Sequence, residues 1–469
     1  MNRSSLTLAL AGAALLTAAL VPNWRVGGLG GGAPQPPTPD LPLPPEAPPT
    51  VPTGVGALRV DASLDQGSIL QGAGEDRYLV VEVIAPELQG DLRRPVSLAV
   101  VMDVSGSMAA RGKMENARMA AAELVDLLRP EDRFSLVTFS DRAKLLAPSG
   151  PVDAPQLKTL IQGIKPAGGT NLWDGLEMGL SQLRDPAEEA VKRVVILSDG
   201  MANIGVTQPA ELVRQAGSLA SEGVTVSALG LGLEFNEDLL AAMGDAGGGS
   251  YRFVDRPGQL AELFTAELRQ MTSIAGRAAT VDLKLPPGVE VAEIYGYAGS
   301  RDRDGYHVFL GDIHGGETRK IVARVHVPDR DLGPVSIADV SLRYADPDSG
   351  DGVSTGDRVV ATITPDPGQA RASVDRGVAR KAVQARSAQL LDAGARAWQD
   401  GDLLANQARI QEAEDLLTEA SVSLGDAGLG EQAAHYASQR GAFAAAPASS
   451  EAGNYQLKKS KEEARADSR

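Results

Sequence analysis

No cysteine occurs in the 469 residues. That absence excludes disulfides, thiolate metal sites, cysteine nucleophiles and an acylated lipoprotein cysteine together, without assigning a compartment. Histidine is nearly as scarce. All 4 lie beyond residue 300, so a Ser–His–Asp hydrolase centre in the preceding chain would lack its base. Residues 95–273 hold no G-x-S-x-G elbow, and the chain has no H-E-x-x-H pair, the local signatures of serine hydrolases and zinc proteases. An excess of positive charge is missing too: Lys+Arg number 45 against 61 Asp+Glu, a formal net charge of -16. Phosphate backbones need a basic surface, so nucleic acid is not expected as a partner. An acidic surface suits solubility and divalent cations. The glycine runs at 30–32 and 244–250 lack the Lys-Ser/Thr of a phosphate loop and read as spacer and turn. No enzymatic function is expected.

Only one long uncharged apolar run is present, Leu6–Val21, preceded by Arg3. It reads as an export signal, although it is short for a spanning helix, which needs about 20 residues. The following "ALVPNWR" has no good small-x-small cleavage site, and Trp24 and Arg25 suit a membrane interface. Residues 1–25 are therefore either a cleaved signal peptide or an N-terminal membrane anchor. The protein is expected to be periplasmic or held on the outer side of the cytoplasmic membrane. Any membrane contact runs through this segment alone, and nothing builds a pore. Residues 26–56 are glycine-rich and then proline-dense, an extended and semi-rigid spacer rather than part of a core.

Hydrophobic residues make up 43% of the chain, enough for a substantial core, and the length fits two to four domains. Residues 57–94 alternate apolar and polar positions in "ALRVDASL" and "YLVVEVIA", as strands do. From 95 to 273 the pattern becomes short apolar runs alternating with amphipathic helical stretches, which predicts a mostly parallel, doubly wound α/β sheet. Strands are expected at 96–102, 133–139, 193–198, 224–231 and 250–254, with a short edge strand near 143–147. Helices are expected near 113–129, 153–163, 172–184, 208–222, 235–245 and 257–272. Residues 274–366 return to alternation, six strands broken by Gly, Pro and Asp turns. With two strands before the α/β region, the count suits one β-sandwich into which the α/β unit is inserted, the alternative being a free-standing β-sandwich that follows it, with the N-terminal strands packed elsewhere. Residues 367–446 carry apolar positions at three-and-four spacing, broken at "QDGD": a helical hairpin with a third helix near 430–443. One such unit is weak support for a peptide-binding repeat array and reads as a docking bundle. The polar tail, 447–469, is expected to be disordered.

The chemistry concentrates at strand ends. The run "LAVVMDVSGSM" stops at Asp103, with Ser105 and Ser107 at alternate positions after it. "GGTNLW" places Thr170 between two glycines and a helix, and "VVILSDG" ends a strong strand at Asp199. In doubly wound sheets the carboxyl ends of strands converge where strand order reverses. Two carboxylates and three hydroxyls without a soft ligand suit Mg²⁺, or Mn²⁺ or Ca²⁺. Taken alone, Asp-x-Ser-x-Ser is a weak signal, since helix caps and turns produce it often.

These three segments together resemble the von Willebrand factor type A domain with its metal-ion-dependent adhesion site, whose pattern is Asp-x-Ser-x-Ser, then a distant Thr, then a distant Asp. Asp103, Ser105, Ser107, Thr170 and Asp199 match it without departure. The flanking text is also similar to bacterial exported members labelled calcium-activated chloride channel-like or inter-α-trypsin inhibitor heavy-chain-like. The resemblance implies that the five residues hold a divalent cation, Mg²⁺ first, and that an acidic side chain of a protein partner completes its shell. The implied function is non-enzymatic, metal-dependent binding or adhesion. The alternative is a scaffold or assembly factor of an envelope complex, channel- or transport-associated, that works through its C-terminal helices.

Other candidates are set aside. His307, His314 and His326 read as surface strand histidines rather than zinc ligands. "DPDSGDG" from Asp346 lacks the calcium-loop spacing and reads as an acidic hairpin turn, as does "RDRDG" at 301–305. Trp173 either frames the rim of the site or packs beneath its loop.

Overall fold

The computed structural model describes residues 58–72, 74–87, 95–184, 190–199, 201–233, 235–254, 259–303, 305–446 and 450–469, side chains 261, 267 and 269–272 excepted. The readings of 1–25 as signal or anchor and of 26–56 as spacer lie outside them. Among the described residues no helix is long and apolar enough to cross a membrane.

Three strands come first: β1 (Arg59–Leu64), β2 (Ser68–Leu70) and β3 (Glu75–Ile84). The α/β unit follows with β4 (Val96–Asp103), a 3-10 turn over Gly106–Gly112, α1 (Lys113–Leu127), β5 (Arg133–Phe139), β6 (Ala143–Pro151), α2 (Ala154–Gln162) and α3 (Leu172–Ser181). It continues through β7 (Val191–Ser198), α4 (Pro209–Ser221), β8 (Val224–Leu231), α5 (Glu237–Ala246), β9 (Gly248–Val254) and α6 (Gln259–Thr272). The sheet order is β6-β5-β4-β7-β8-β9, parallel except for the antiparallel edge strand β6. Every residue of β4 and β8 is buried, because helices cover both faces. Alternate residues of β4 serve the two sides. Val96, Leu98, Val100 and Met102 meet α1, α2 and α6, while Ala99 and Val101 meet α3, α4 and α5.

The chain then returns to β structure: β10 (Ile274–Lys284), β11 (Glu290–Tyr295), β12 (Gly299–Arg301), β13 (Tyr306–His314), β14 (Thr318–Val327), β15 (Gly333–Ala345) and β16 (Gly352–Thr364). One sheet has the order β1-β3-β14-β11 and the other β12-β13-β10-β15-β16-β2, with one shared core that includes Leu79, Val81, Val281, Leu283, Val325 and Leu342. β3 pairs with β14 from Ile84↔Thr318 to Glu75↔Val327. The α/β unit is thus inserted between the third and fourth strands of a sandwich. β2 and β12, three residues each, are additional to the strands expected. Both are edge strands too short to show alternation.

Helices α7 (Pro367–Ala372), α8 (Arg376–Gln399), α9 (Leu403–Leu424), α10 (Ala427–Ala445) and α11 (Glu451–Ser468) complete the chain. The "QDGD" break is a tight turn: Gly401 has φ 83°, and Asp402 caps α9 by accepting from the Ala405 N–H at 2.9 Å. α8 lays Val378, Ala382 and Ala385 on Tyr78, Val80, Tyr295 and Val322 of the sandwich.

The expectation of a disordered tail is overturned. α11 packs Leu457 and Ala464 into the bundle core, and Lys458 is 2% exposed. The helix is held to the α/β unit by charge rather than by an apolar stripe. Lys458 bonds Glu237 at 2.7 Å, Lys461 bonds Asp238 at 2.8 Å, and Arg465 and Arg469 both pair with Asp245.

The histidines divide. His326 is exposed and meets Asp76, and half-buried His307 bridges Asp282 and Asp302, as surface strand residues. His314 is a correction: it is buried at the end of β13, and burial, with the neighbouring Arg193 charge, pushes its pKa down to about 4. The Asp346 segment is a hairpin turn, in which the carboxylate accepts from the N–H groups of Asp348 and Ser349.

Candidate metal centre

β4 is the first strand of its sheet in chain order. β5 and β6 lie on one side of it and β7, β8 and β9 on the other. The loops leaving β4 and β7 diverge at this switch point and leave a crevice between them. Asp103 is the last residue of β4, and Asp199 directly follows β7. Both are 0% exposed.

Four of the five expected side chains form one hydrogen-bonded chain. The Ser105 and Ser107 hydroxyls are 3.0 Å apart. The Ser107 hydroxyl donates to Asp199 Oδ1 at 2.8 Å. The Ser105 N–H donates to Asp103 Oδ1 at 2.8 Å. Thr170, 3% exposed, joins through the backbone of its loop. Gly106 N–H donates to the Gly168 carbonyl at 2.9 Å, and Thr170 N–H donates to Asn203 Oδ1 at 2.9 Å. The Thr170 carbonyl accepts from the Asn203 N–H at 3.0 Å. The loops after β4, before α3 and after β7 are therefore stitched together.

Glycine at 169 is a packing requirement. A Cβ there would stand 2.5 Å from Ile204 Cδ1 and 2.9 Å from Asn203 Oδ1, so both side-chain ends, Asn203's holding the Thr170 N–H, would have to shift. Asn171 caps α3 by accepting from the Asp174 N–H at 3.2 Å. Half-buried Trp173 packs against the apolar core beneath this loop.

Burial pushes the Asp103 carboxyl above the usual carboxylate range, and the Asp199 charge adds to it. Hydrogen bonds from Ser198 and Ser105 act the other way, the Ser198 hydroxyl donating to Asp103 Oδ2 at 2.6 Å. Two such carboxylates, backed by hydroxyls, form a hard oxygen set of the kind that suits Mg²⁺, Mn²⁺ or Ca²⁺. Among the described residues no three His, Cys, Asp or Glu side chains converge as a metal cluster. The donor set stands on carboxylate and hydroxyl together.

Two contributors escaped the sequence reading. Ser198 sits inside the apolar strand run and signals nothing on its own. Lys113 is 9% exposed, and its ammonium donates to Asp199 Oδ2 at 2.6 Å. It is the first residue of α1, where the helix dipole disfavours a cation, a local hint that does not point to Asp199.

Residues 98–201 match the family model for the von Willebrand factor type A domain. The uncharacterized protein sll0103 of Synechocystis sp. is 28% identical over 308 residues, 62% of this chain and 72% of that protein. Human inter-alpha-trypsin inhibitor heavy chain H4 is 30% identical over 203 residues, 41% of this chain but only 21% of its own length. Among solved structures, a von Willebrand factor type A protein from Catenulispora acidiphila superposes with a TM-score of 0.65 at 22% identity, over 80% of this chain and 89% of that one. The ArnB paralog VWA2 from Sulfolobus acidocaldarius superposes at 0.58 and 19% identity, over 88% and 99%. These two share the overall fold. The α/β unit of this chain, with Asp103, Thr170 and Asp199 gathered at its switch point, has the fold of a von Willebrand factor type A domain.

Proposed function

We propose that the protein is an exported, non-enzymatic binding protein whose type A domain captures an acidic partner through a divalent cation, Mg²⁺ first. Such domains commonly serve protein–protein interaction and adhesion. The observation that carries this reading is the hydrogen-bonded chain Ser105–Ser107–Asp199, stitched to the Thr170 loop at the sheet's switch point. Asp103, Ser105, Ser107, Thr170 and Asp199 would hold the cation. When bound, it supplies a Lewis-acidic centre for a partner's carboxylate. The chain's own part is to fix the two aspartates and shield them from water.

The scaffold alternative has less behind it. α8 already covers the sandwich and α11 already covers α5, so the helices act as an internal brace.

The test is capture of proteins from an envelope extract by the wild type and by Asp103→Ala, each in Mg²⁺ and in EDTA. Partner capture is expected only for the wild type in Mg²⁺. Capture that survives both the substitution and EDTA, but is lost on deleting α9 and α10, establishes the scaffold reading instead.

A further inference from the structure

The successive peptide groups around Thr170 are each tied to a neighbouring loop. The peptide joining Gly168 and Gly169 is held at both ends. Its carbonyl accepts from the Gly106 N–H at 2.9 Å, and its N–H donates to Asp141 Oδ1 at 2.6 Å. The next peptide donates the Thr170 N–H to Asn203 Oδ1 at 2.9 Å. The third accepts from the Asn203 N–H at 3.0 Å and donates the Asn171 N–H to the Ser140 carbonyl at 2.7 Å. Asn171 Nδ2 also donates to the Asp141 carbonyl at 3.2 Å.

The first of these peptides is the one in need of a lock. It lies between two glycines, and Gly168 has φ 85°. Without a Cβ on either side, little steric resistance opposes its turning over. A flip would break the bond to Gly106 and point the Gly168 carbonyl at the Asp141 carboxylate, acceptor against acceptor. The carboxylate lies close against this unit: a Cβ on Gly168 would stand 3.0 Å from Asp141 Oδ1. Asp141 itself is exposed, in the turn between β5 and β6. It contributes to the loop rather than to the core.

The structure assigns Asp141 as a positioning residue of the metal centre: it fixes the Gly168–Gly169 peptide in the orientation that presents Thr170 to the cation. The turn after β5 thereby becomes a fourth loop of the centre, outside the three segments of the sequence pattern. Asp141 acts by accepting a hydrogen bond, through Gly169 and Thr170, and touches neither the cation nor the partner. This inference rests on the proposed function, since it takes Thr170 as one of the cation's ligands.

Positioning by a hydrogen bond and attraction by a remote charge predict different outcomes. Asp141→Asn keeps an oxygen that can accept from Gly169 but removes the charge. Asp141→Ala removes both. The probe is Mn²⁺, titrated calorimetrically and by electron paramagnetic resonance into the full chain. A double-variant cycle with Thr170→Val asks whether the effect runs through Thr170.

Asp141→Ala is expected to weaken Mn²⁺ binding by about tenfold, the low end of the loss typical of groups that orient a metal ligand, because its bond to Gly169 is exposed. Asp141→Asn is expected to stay within about threefold of wild type, an amide oxygen being a weaker acceptor than a carboxylate. In the Thr170→Val background the cost of Asp141→Ala is expected to fall below about twofold, as coupled residues are not additive. Suppose wild type binds Mn²⁺ and the variants are folded by circular dichroism. Unchanged binding in Asp141→Ala then overturns the inference, as does an equal loss in Asn and Ala, which is the signature of charge. A cost undiminished beside Thr170→Val, or Thr170→Val binding as well as wild type, overturns it too. In each case the metal centre stands. If neither wild type nor any variant binds Mn²⁺, the proposed function falls, and the inference with it.

Discussion

The most demanding quantitative consequence concerns α11. Lys458 and Glu237 form an ion pair at 2.7 Å, with side chains 2% and 7% exposed. The ammonium also donates to the Phe235 carbonyl at 2.9 Å and lies 3.7 Å from the centroid of that ring. Burial would raise the Glu237 carboxyl, but Lys458 and Lys461 overcome it and hold it below its usual range. Lys458→Met keeps most of the stem's packing and deletes the charge. Removing one partner of a buried pair costs about 3–5 kcal/mol. The low end applies, because Lys461 Nζ stands 3.2 Å from Glu237 and remains a counter-ion. A loss of about 3 kcal/mol is a rise of about a hundredfold in local opening, at 1.4 kcal/mol per tenfold. Hydrogen exchange of the α11 amides reads this directly, where a global melt of so composite a chain would not. Exchange in α11 should accelerate while β4 and β8 stay protected. The double variant Lys458→Met/Glu237→Gln should be less perturbed than the sum of the singles by about 2 kcal/mol, since it leaves no lone carboxylate. Unchanged α11 exchange in Lys458→Met, or strict additivity of the pair, refutes the charge-latch account.

Two further outcomes follow from the same geometry. Acidification should release α11 ahead of the sandwich. Glu237 and Asp245 both have folded-state values held below the usual range, so their contribution is fully present above the unfolded values of about 4 and is lost as pH falls through the folded ones; exchange in α11 against pH checks this. Gly169→Ala should leave the secondary structure intact but weaken Mn²⁺ binding by about ten- to hundredfold, because the new Cβ collides with Ile204 and Asn203 and displaces the loop that presents Thr170; circular dichroism paired with Mn²⁺ titration separates the two effects.

The α/β unit was legible because its central strands are buried on both sides. β5 and β8 fall where the apolar runs put them, with only the small hydroxyl residues Ser135, Thr138, Thr225 and Ser227 interspersed and buried alongside their apolar neighbours. Asp103 and Asp199 were legible for the same reason: each is a carboxylate that ends an apolar strand. Lys113 was not singled out, because its relation to Asp199 spans 86 positions and exists only when α1 and β7 are brought together. Ser198 was hidden by its apolar neighbours. α11 misled the reading in the opposite direction. Its sequence is polar enough for disorder, and only the carboxylates of α5, far away along the chain, make Lys458, Lys461 and Arg465 fit to bury. Composition registers apolar burial well and pairing between distant charges not at all.

The insertion also sets the order in which a chain leaving the ribosome can become structured. β3 emerges early with Leu79, Val81 and Val83 facing a core that does not yet exist, and its neighbour β14 does not begin until Thr318. The whole α/β unit, which has its own two apolar clusters, is synthesised in the interval and can collapse independently. The first strands, β1 paired with β3, must therefore wait with the β14-facing edge and the apolar face uncovered beside a finished neighbour. α11, made after both, then fastens that neighbour to the bundle. A nascent chain stalled before β14 should engage holding chaperones through β1 and β3 rather than through the domain that carries Asp103.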